Sequence, residues 1–261
     1  MRVRGRSPQR ISSERGKHES SMARQSYESR LWRWVKSGKP GAELVPAATV
    51  ILVRDGAAGL EALMLRRNSK LVFGGMWVFP GGRVDPEDRE GLAAGEELGA
   101  ARRAAVREAR EEAGISVELD ALVPFSHWTP PPIAPRRFLT WFFLAAAPPS
   151  DVVIDGGEIH DKGWMQPADA LRRRDAQEIE LAPPTWVTLH ELSSWNRVEE
   201  ALAATRGRTP ERFETRIAVE SDTPVALWWP DAGWRDGDPS KPGRRHRLSM
   251  NETCWRYERS D

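Results

Sequence analysis

Apolar and polar positions alternate in blocks along the chain, and ordered structure is predicted to begin near Pro46. Ala47-Ala48-Thr49-Val50-Ile51-Leu52-Val53 is a β-branched apolar run closed by the turn pair Asp55-Gly56. Glu61 to Arg67 reads as a second strand, its hairpin partner. Val78-Phe79 runs into Pro80-Gly81-Gly82, and further strands are predicted at Leu119–Trp128, Phe138–Ala146 and around Trp164. Helical patterning is predicted at Ala100–Ala113, at Ala168–Arg173, and from Thr185 to Ala204 with a break at Ser193-Ser194. Thr185 is the candidate N-cap of the last helix, and Leu189, Leu192, Val198 and Leu202 form its apolar stripe. Strands interleaved with helices point to an α/β fold, a mixed sheet covered by helices. From residue 206 to 261 the chain is rich in Pro, Gly, Trp and Arg, and the expectation is an irregular C-terminal extension packed on the domain.

Composition narrows the function classes. The 261 residues carry a formal net charge of +1, so no global field favours nucleic acid or a membrane surface. Residues 1–40 nevertheless hold eleven Lys/Arg against three Glu. A solvated, disordered basic tail is the favoured reading of this stretch, ahead of an anionic-surface arm. Translation starting at Met22 is the third alternative. One cysteine, Cys254, excludes an internal disulfide, and a cytoplasmic location is expected. The longest apolar run, Trp141 to Ala147, is far short of the ~20 residues that span a bilayer. The scattered histidines, His127 and His160 among them, read as ordinary polar residues, not zinc ligands.

The chemistry concentrates in Ala101 to Ile115. Ala-rich sequence favours a helix and Gly114 stops it. Glu108, Glu111 and Glu112 stand at i, i+3 and i+4, on one helix face. Three clustered carboxylates either pair with Arg103, Arg107 and Arg110 as a solvated face, or bind a divalent cation. Oxygen-only ligands suit Mg²⁺ or Mn²⁺. Arg107, four residues before Glu111, can hold that carboxylate in place. Upstream, Phe79-Pro80-Gly81-Gly82 leaves main chain open to a ligand.

Phe79-Pro80-Gly81-Gly82 followed by Arg107-Glu108-Ala109-Arg110-Glu111-Glu112-Ala113-Gly114-Ile115 resembles the Nudix box, over a domain spanning residues 41–205. The second half matches at every defined position. The first half differs: Gly82 to Arg107 is 25 positions where the pattern has 14, an insertion around Asp85–Leu98. Counting forward from Gly82, the pattern's isolated Glu falls on Asp88; counting back from Arg107, it falls on Gly99. The resemblance implies an α/β/α sandwich and a metal-dependent hydrolase that cleaves a nucleoside diphosphate-linked compound. It implies metal ligation by Glu108, Glu111 and Glu112 with a main-chain oxygen of Gly81 or Gly82. Glu108 and Glu158 are its candidate general bases, and Arg107 belongs to the same catalytic set.

The box insertion and the long tail also resemble the branch containing peroxisomal-type coenzyme A diphosphatases, with Gly75 to Gly82 and Arg67 matching its upstream motif and Leu71 departing from it. A coenzyme A species is therefore the first expectation for substrate. ADP-ribose or a dinucleotide is the second, and a non-catalytic Nudix-fold binding module is the rival of another class. Arg67, Arg136 and Arg137 are candidate phosphate ligands, with Phe79 and Gly82 beside them. Trp128 and Trp229 are candidate stacking platforms for a base. The expected partner is a nucleotide-type small molecule, without membrane or nucleic acid, and a homodimer is allowed.

Overall fold

The structure, a computed structural model, describes residues 26–38, 40–68, 74–154 and 156–260. The basic stretch 1–25 with Met22, and Leu71, lie outside the described residues. The elements in chain order are α1 (Tyr27–Ser37), β1 (Leu44–Gly56), β2 (Gly59–Arg67), β3 (Trp77–Val78), β4 (Gly81–Arg83), α2 (Glu97–Ala113), β5 (Val123–Thr129), β6 (Arg137–Ala146) and β7 (Ile159–Met165). They are followed by α3 (Pro167–Asp175), α4 (Pro183–Leu192), α5 (Val198–Arg206), β8 (Glu211–Glu214), β9 (Arg216–Glu220), β10 (Thr223–Leu227), β11 (His246–Met250) and β12 (Trp255–Arg259).

The central strand explains the layering. Along β1, Ala48, Val50 and Leu52 turn to one face and Ile51 and Val53 to the other, and all five are buried. A strand apolar on both faces must be covered on both. The first face packs under α2 through Ala101, Ala104, Ala105, Ala109 and Ala113. Alanine lets the helix lie close to the sheet. The second face meets α4 and α5 through Trp186, Leu189, Leu192 and Ala201. The result is the expected α/β/α sandwich. Its mixed sheet runs β3-β2-β1-β6-β5-β8, with β4 beside β1 and β7 beside β2. β1 and β2 form the predicted antiparallel hairpin, while β1 and β6 are parallel.

Four expectations need correction. The stretch 206–261 is not irregular: β8 extends the main sheet parallel to β5, and β9 to β12 form a separate antiparallel meander. The β9–β10 hairpin turns on Ser221 and Asp222, both at positive φ (47° and 61°). That geometry belongs to a two-residue turn usually written Asn-Gly, so the sequence signal is weak. The tail also ends earlier than residue 40. Ser26 caps α1 by accepting the Ser29 N–H at 3.2 Å, and Leu31 is fully buried. Buried Glu28 holds the helix down by accepting from Arg174 of α3 and, at 2.5 Å, from Trp255 Nε1 of β12. Thr185 is not a cap but a buried residue inside α4, which starts with Pro183 and Pro184 after Ala182. Prolines lack the N–H that a first turn leaves unpaired, so they open a helix without a side-chain cap. Finally, Leu119–Ala121 is a 3₁₀ turn, and the strand predicted there begins at Val123.

Candidate active site

α2 carries the site, and its ends are defined by the sequence. Gly114 stops it at φ 67°, donating its N–H to the Arg110 carbonyl at 3.0 Å, while the Ile115 N–H reaches the Ala109 carbonyl at 3.2 Å. β4 pairs with β1, placing Gly82 opposite Ala48 and Gly81 opposite Thr49. Both glycines are needed for contact, not for an unusual φ. A Cβ on Gly82 would sit 2.2 Å from Glu108 Oε1, and a Cβ on Gly81 would sit 2.5 Å from the Ala48 carbonyl oxygen. The Glu108 carboxylate thus rests directly on the main chain of β4.

The remaining acids are tied by two guanidinia. Glu112 is buried; its Oε2 accepts the Gly81 N–H at 2.9 Å and its Oε1 faces Arg67 Nη1 at 3.3 Å. Arg67 Nη2 reaches Glu158 Oε2 at 2.7 Å. Arg107 Nη1 forks between Glu108 Oε1 at 2.8 Å and Glu111 Oε2 at 3.0 Å. Its Nη2 donates to Asp88 Oδ2 at 3.0 Å and to the Arg83 carbonyl at 2.9 Å. Asp85 stands 3.4 Å from the same nitrogen. Six carboxylates against two guanidinia leave a formal charge of −4 in one patch.

The electrostatics follow. Burial pushes the Glu112 carboxyl up to about 7, against the lowering effect of the Gly81 N–H and Arg67. Burial also raises Glu108, although Arg107 opposes it. Burial alone would lower Arg107, but its bonds to Asp88 and Glu108 outweigh that and raise it.

Asp88 is the buried acid of this cluster that motif counting leaves ambiguous. The insertion makes a 3₁₀ turn at Pro86–Arg89, where the Asp85 N–H donates to Asp88 Oδ2 at 2.9 Å, and then loops out before α2. Buried Asp88, six places after Gly82, therefore sits against Arg107 despite eleven extra residues.

Other candidates fall elsewhere. Phe79 is a core residue, 3% exposed and edge-on to Phe142 at 6.4 Å, which corrects its assignment to substrate contact. Trp128 is likewise buried, stacked on Phe213 at 3.8 Å, so it offers no face to a base. Arg137 donates to the carbonyls of Ala42 and Pro130, away from the acids, and Arg136 is exposed. Trp229 is 55% exposed in the C-terminal segment, edge-on to Trp234. His127 stacks on Trp141 at 4.3 Å, and His160 is exposed.

The NUDIX domain model matches residues 43–185, more than half of the chain and all of this site. The chain belongs to the NUDIX domain family. A Nudix hydrolase from Alicyclobacillus acidocaldarius is similar at 25% identity and a TM-score of 0.57, over 62% of this chain and 96% of that one. A MutT Nudix hydrolase from Burkholderia pseudomallei is similar at 22% identity and 0.43, over 57% and 98%. An Ap4A hydrolase from C. elegans is similar at 24% and 0.40, over 57% and 96%. The curated proteins contain no match. Family and fold make the chain a Nudix pyrophosphohydrolase.

Nudix hydrolases generally use divalent metal ions. Among the described residues no three His, Cys, Asp or Glu side chains are already arranged to hold a metal ion; Arg107 and Arg67 stand among the acids. The donor set nevertheless suits a hard dication: every candidate ligand is an oxygen, the patch carries excess negative charge, and Gly82 gives Glu108 space beside main chain. No helix among the described residues is long and apolar enough to cross a membrane.

Proposed function

We propose that this Nudix hydrolase cleaves the phosphoanhydride of a nucleoside diphosphate-linked small molecule, with a coenzyme A species as first substrate and Mg²⁺ or Mn²⁺ as the ion. The observation that carries the reading is the convergence of Glu108, Glu112 and Gly81-Gly82 at the junction of α2 and β4. Glu108, Glu111 and Glu112 would hold the ion, with a main-chain oxygen of Gly81 or Gly82. A bound dication supplies charge neutralisation to the diphosphate and acidifies a water. Glu158, at the rim and exposed, is the residue proposed to accept the proton of the attacking water; Glu108 is the alternative. Arg67 offers the substrate phosphates a fork of donors. Arg107 orients Glu108 and Glu111 while Asp88 anchors it.

Support for the coenzyme A class comes from the box insertion and from the Gly75–Gly82 spacing with Arg67. A cytoplasmic setting fits the single cysteine. The test is turnover of coenzyme A, acetyl-CoA, ADP-ribose, NADH and a dinucleoside polyphosphate with Mg²⁺ or Mn²⁺. Preference for the two CoA species supports the assignment. Preference for ADP-ribose or the dinucleotide replaces it within the class. No turnover with tight retention of one ligand makes the chain a binding module.

A further inference from the structure

Arg67 is shared between Glu112, a proposed metal ligand, and Glu158, the first-choice base. It stands at the end of β2 with its side chain 18% exposed. One amino group faces Glu112 at 3.3 Å and the other faces Glu158 at 2.7 Å. The attachment is framed by main chain. The next residue, Asn68, donates its N–H to the Glu158 carbonyl at 2.7 Å and its side-chain amide to the Gly157 carbonyl at 3.1 Å. The end of β2 is thereby clipped to the loop before β7. Glu112 has both oxygens engaged, one by the Gly81 N–H and one by Arg67. A cation approaching Glu112 Oε1 meets Arg67 already in place.

We propose that Arg67 is a resident counter-ion for Glu112 and Glu158 that an incoming dication displaces from Glu112, freeing one arm of the guanidinium for a substrate diphosphate. This rests on the metal ligation proposed above. Two physical consequences follow. First, Arg67 opposes metal binding in the absence of substrate, both by occupying a ligand oxygen and by its charge. Second, the metal strengthens diphosphate binding by releasing the donor, and by linkage the diphosphate strengthens metal binding by the same factor. A residue that merely propped Glu112 in place would act in the opposite direction, since its loss would weaken the metal site.

The test is Mn²⁺ titration of the full chain, followed by electron paramagnetic resonance, without and with α,β-methylene-ADP as an uncleaved diphosphate. Substrate-free Arg67→Met binds Mn²⁺ about tenfold more tightly than wild type, and the analogue's effect on Mn²⁺ affinity, five-fold or more in wild type, falls close to one. Arg67→Lys keeps a charge without the fork and lies between the two; it decides the matter if the Met variant does not fold. Arg66→Met, losing a charge one residue away, titrates like wild type. Weaker or unchanged Mn²⁺ binding in both Arg67 variants overturns the proposal while leaving the metal ligands standing. A wild-type chain that binds no Mn²⁺ overturns the metal assignment beneath it.

Discussion

Gly82→Ala separates contact at the site from stability of the fold. The added Cβ would lie 2.2 Å from Glu108 Oε1, 2.5 Å from its Cδ and 2.8 Å from its Oε2. Ordinary contact with a Cβ begins at 3.4 Å, so the carboxylate must retreat by about 1 Å. Everything it strikes is the far end of a flexible side chain, and the Gly82 backbone needs no positive φ, so the fold absorbs the change. A shift of about 1 Å in a group at the reacting centre costs on the order of 100-fold, or about 2.7 kcal/mol in the barrier. Gly81→Ala is the contrast. Its Cβ would lie 2.5 Å from the Ala48 carbonyl oxygen and 2.8 Å from Thr49 Cα, which are paired main chain that cannot step aside. Overpacking of that kind costs about 1–3 kcal/mol of stability. The assay is kcat/KM for coenzyme A hydrolysis with Mg²⁺, beside Tm by scanning calorimetry. Gly82→Ala is expected to lose about 100-fold in kcat/KM with Tm within about 3 °C, and Gly81→Ala to lose several degrees. Wild-type activity in Gly82→Ala, or a Tm loss equal to that of Gly81→Ala, refutes the contact argument.

Asp88→Asn leaves Arg107 in place without its buried anion, so kcat should fall about tenfold while the fold persists, checked by steady-state kinetics and circular dichroism. Glu28→Ala leaves the buried Arg174 guanidinium with Asp175 at 3.2 Å as its remaining carboxylate and frees Trp255 Nε1; urea unfolding should show a loss of about 2 kcal/mol, and an unchanged midpoint would remove α1 from the folded unit. Burial and Arg212 depress His127 to about 4 in the fold, against ~6.5 when unfolded. Between those values the unfolded chain takes up a proton that the folded chain refuses. The stability His127 contributes is therefore full above about pH 6.5 and is lost as pH falls toward 4. His127→Phe should flatten that part of the pH–stability curve, and an identical slope in both proteins counts against it.

The layered fold was legible because its signals are local. Val50, Ile51, Leu52 and Val53 announce a strand buried on both faces, and Ala101 to Gly114 announces a helix and its stop. The clustering of Glu108, Glu111 and Glu112 was legible for the same reason, since i, i+3, i+4 spacing fixes a face before any tertiary contact forms. What was missed depends on distant partners. α1 looks like part of a basic tail because Glu28 gains its meaning only from Arg174 and Trp255, far along the chain. The C-terminal meander hides in strands of five residues each, with a hairpin turn on Ser221-Asp222. Phe79 sits inside the motif and invited a role in binding, yet the motif holds it against Phe142 as core. The insertion obscured Asp88, because spacing counted along the chain does not say which end of a loop keeps its register.

The reading stands on the α2 acids taking a divalent ion beside the β4 glycines. Mn²⁺ titration of wild type and Glu112→Gln under identical conditions tests it most directly. Saturable binding to the wild-type chain is expected, with an affinity at least about tenfold lower in a folded Glu112→Gln variant. Superimposable titrations, or no binding to either, would contradict it.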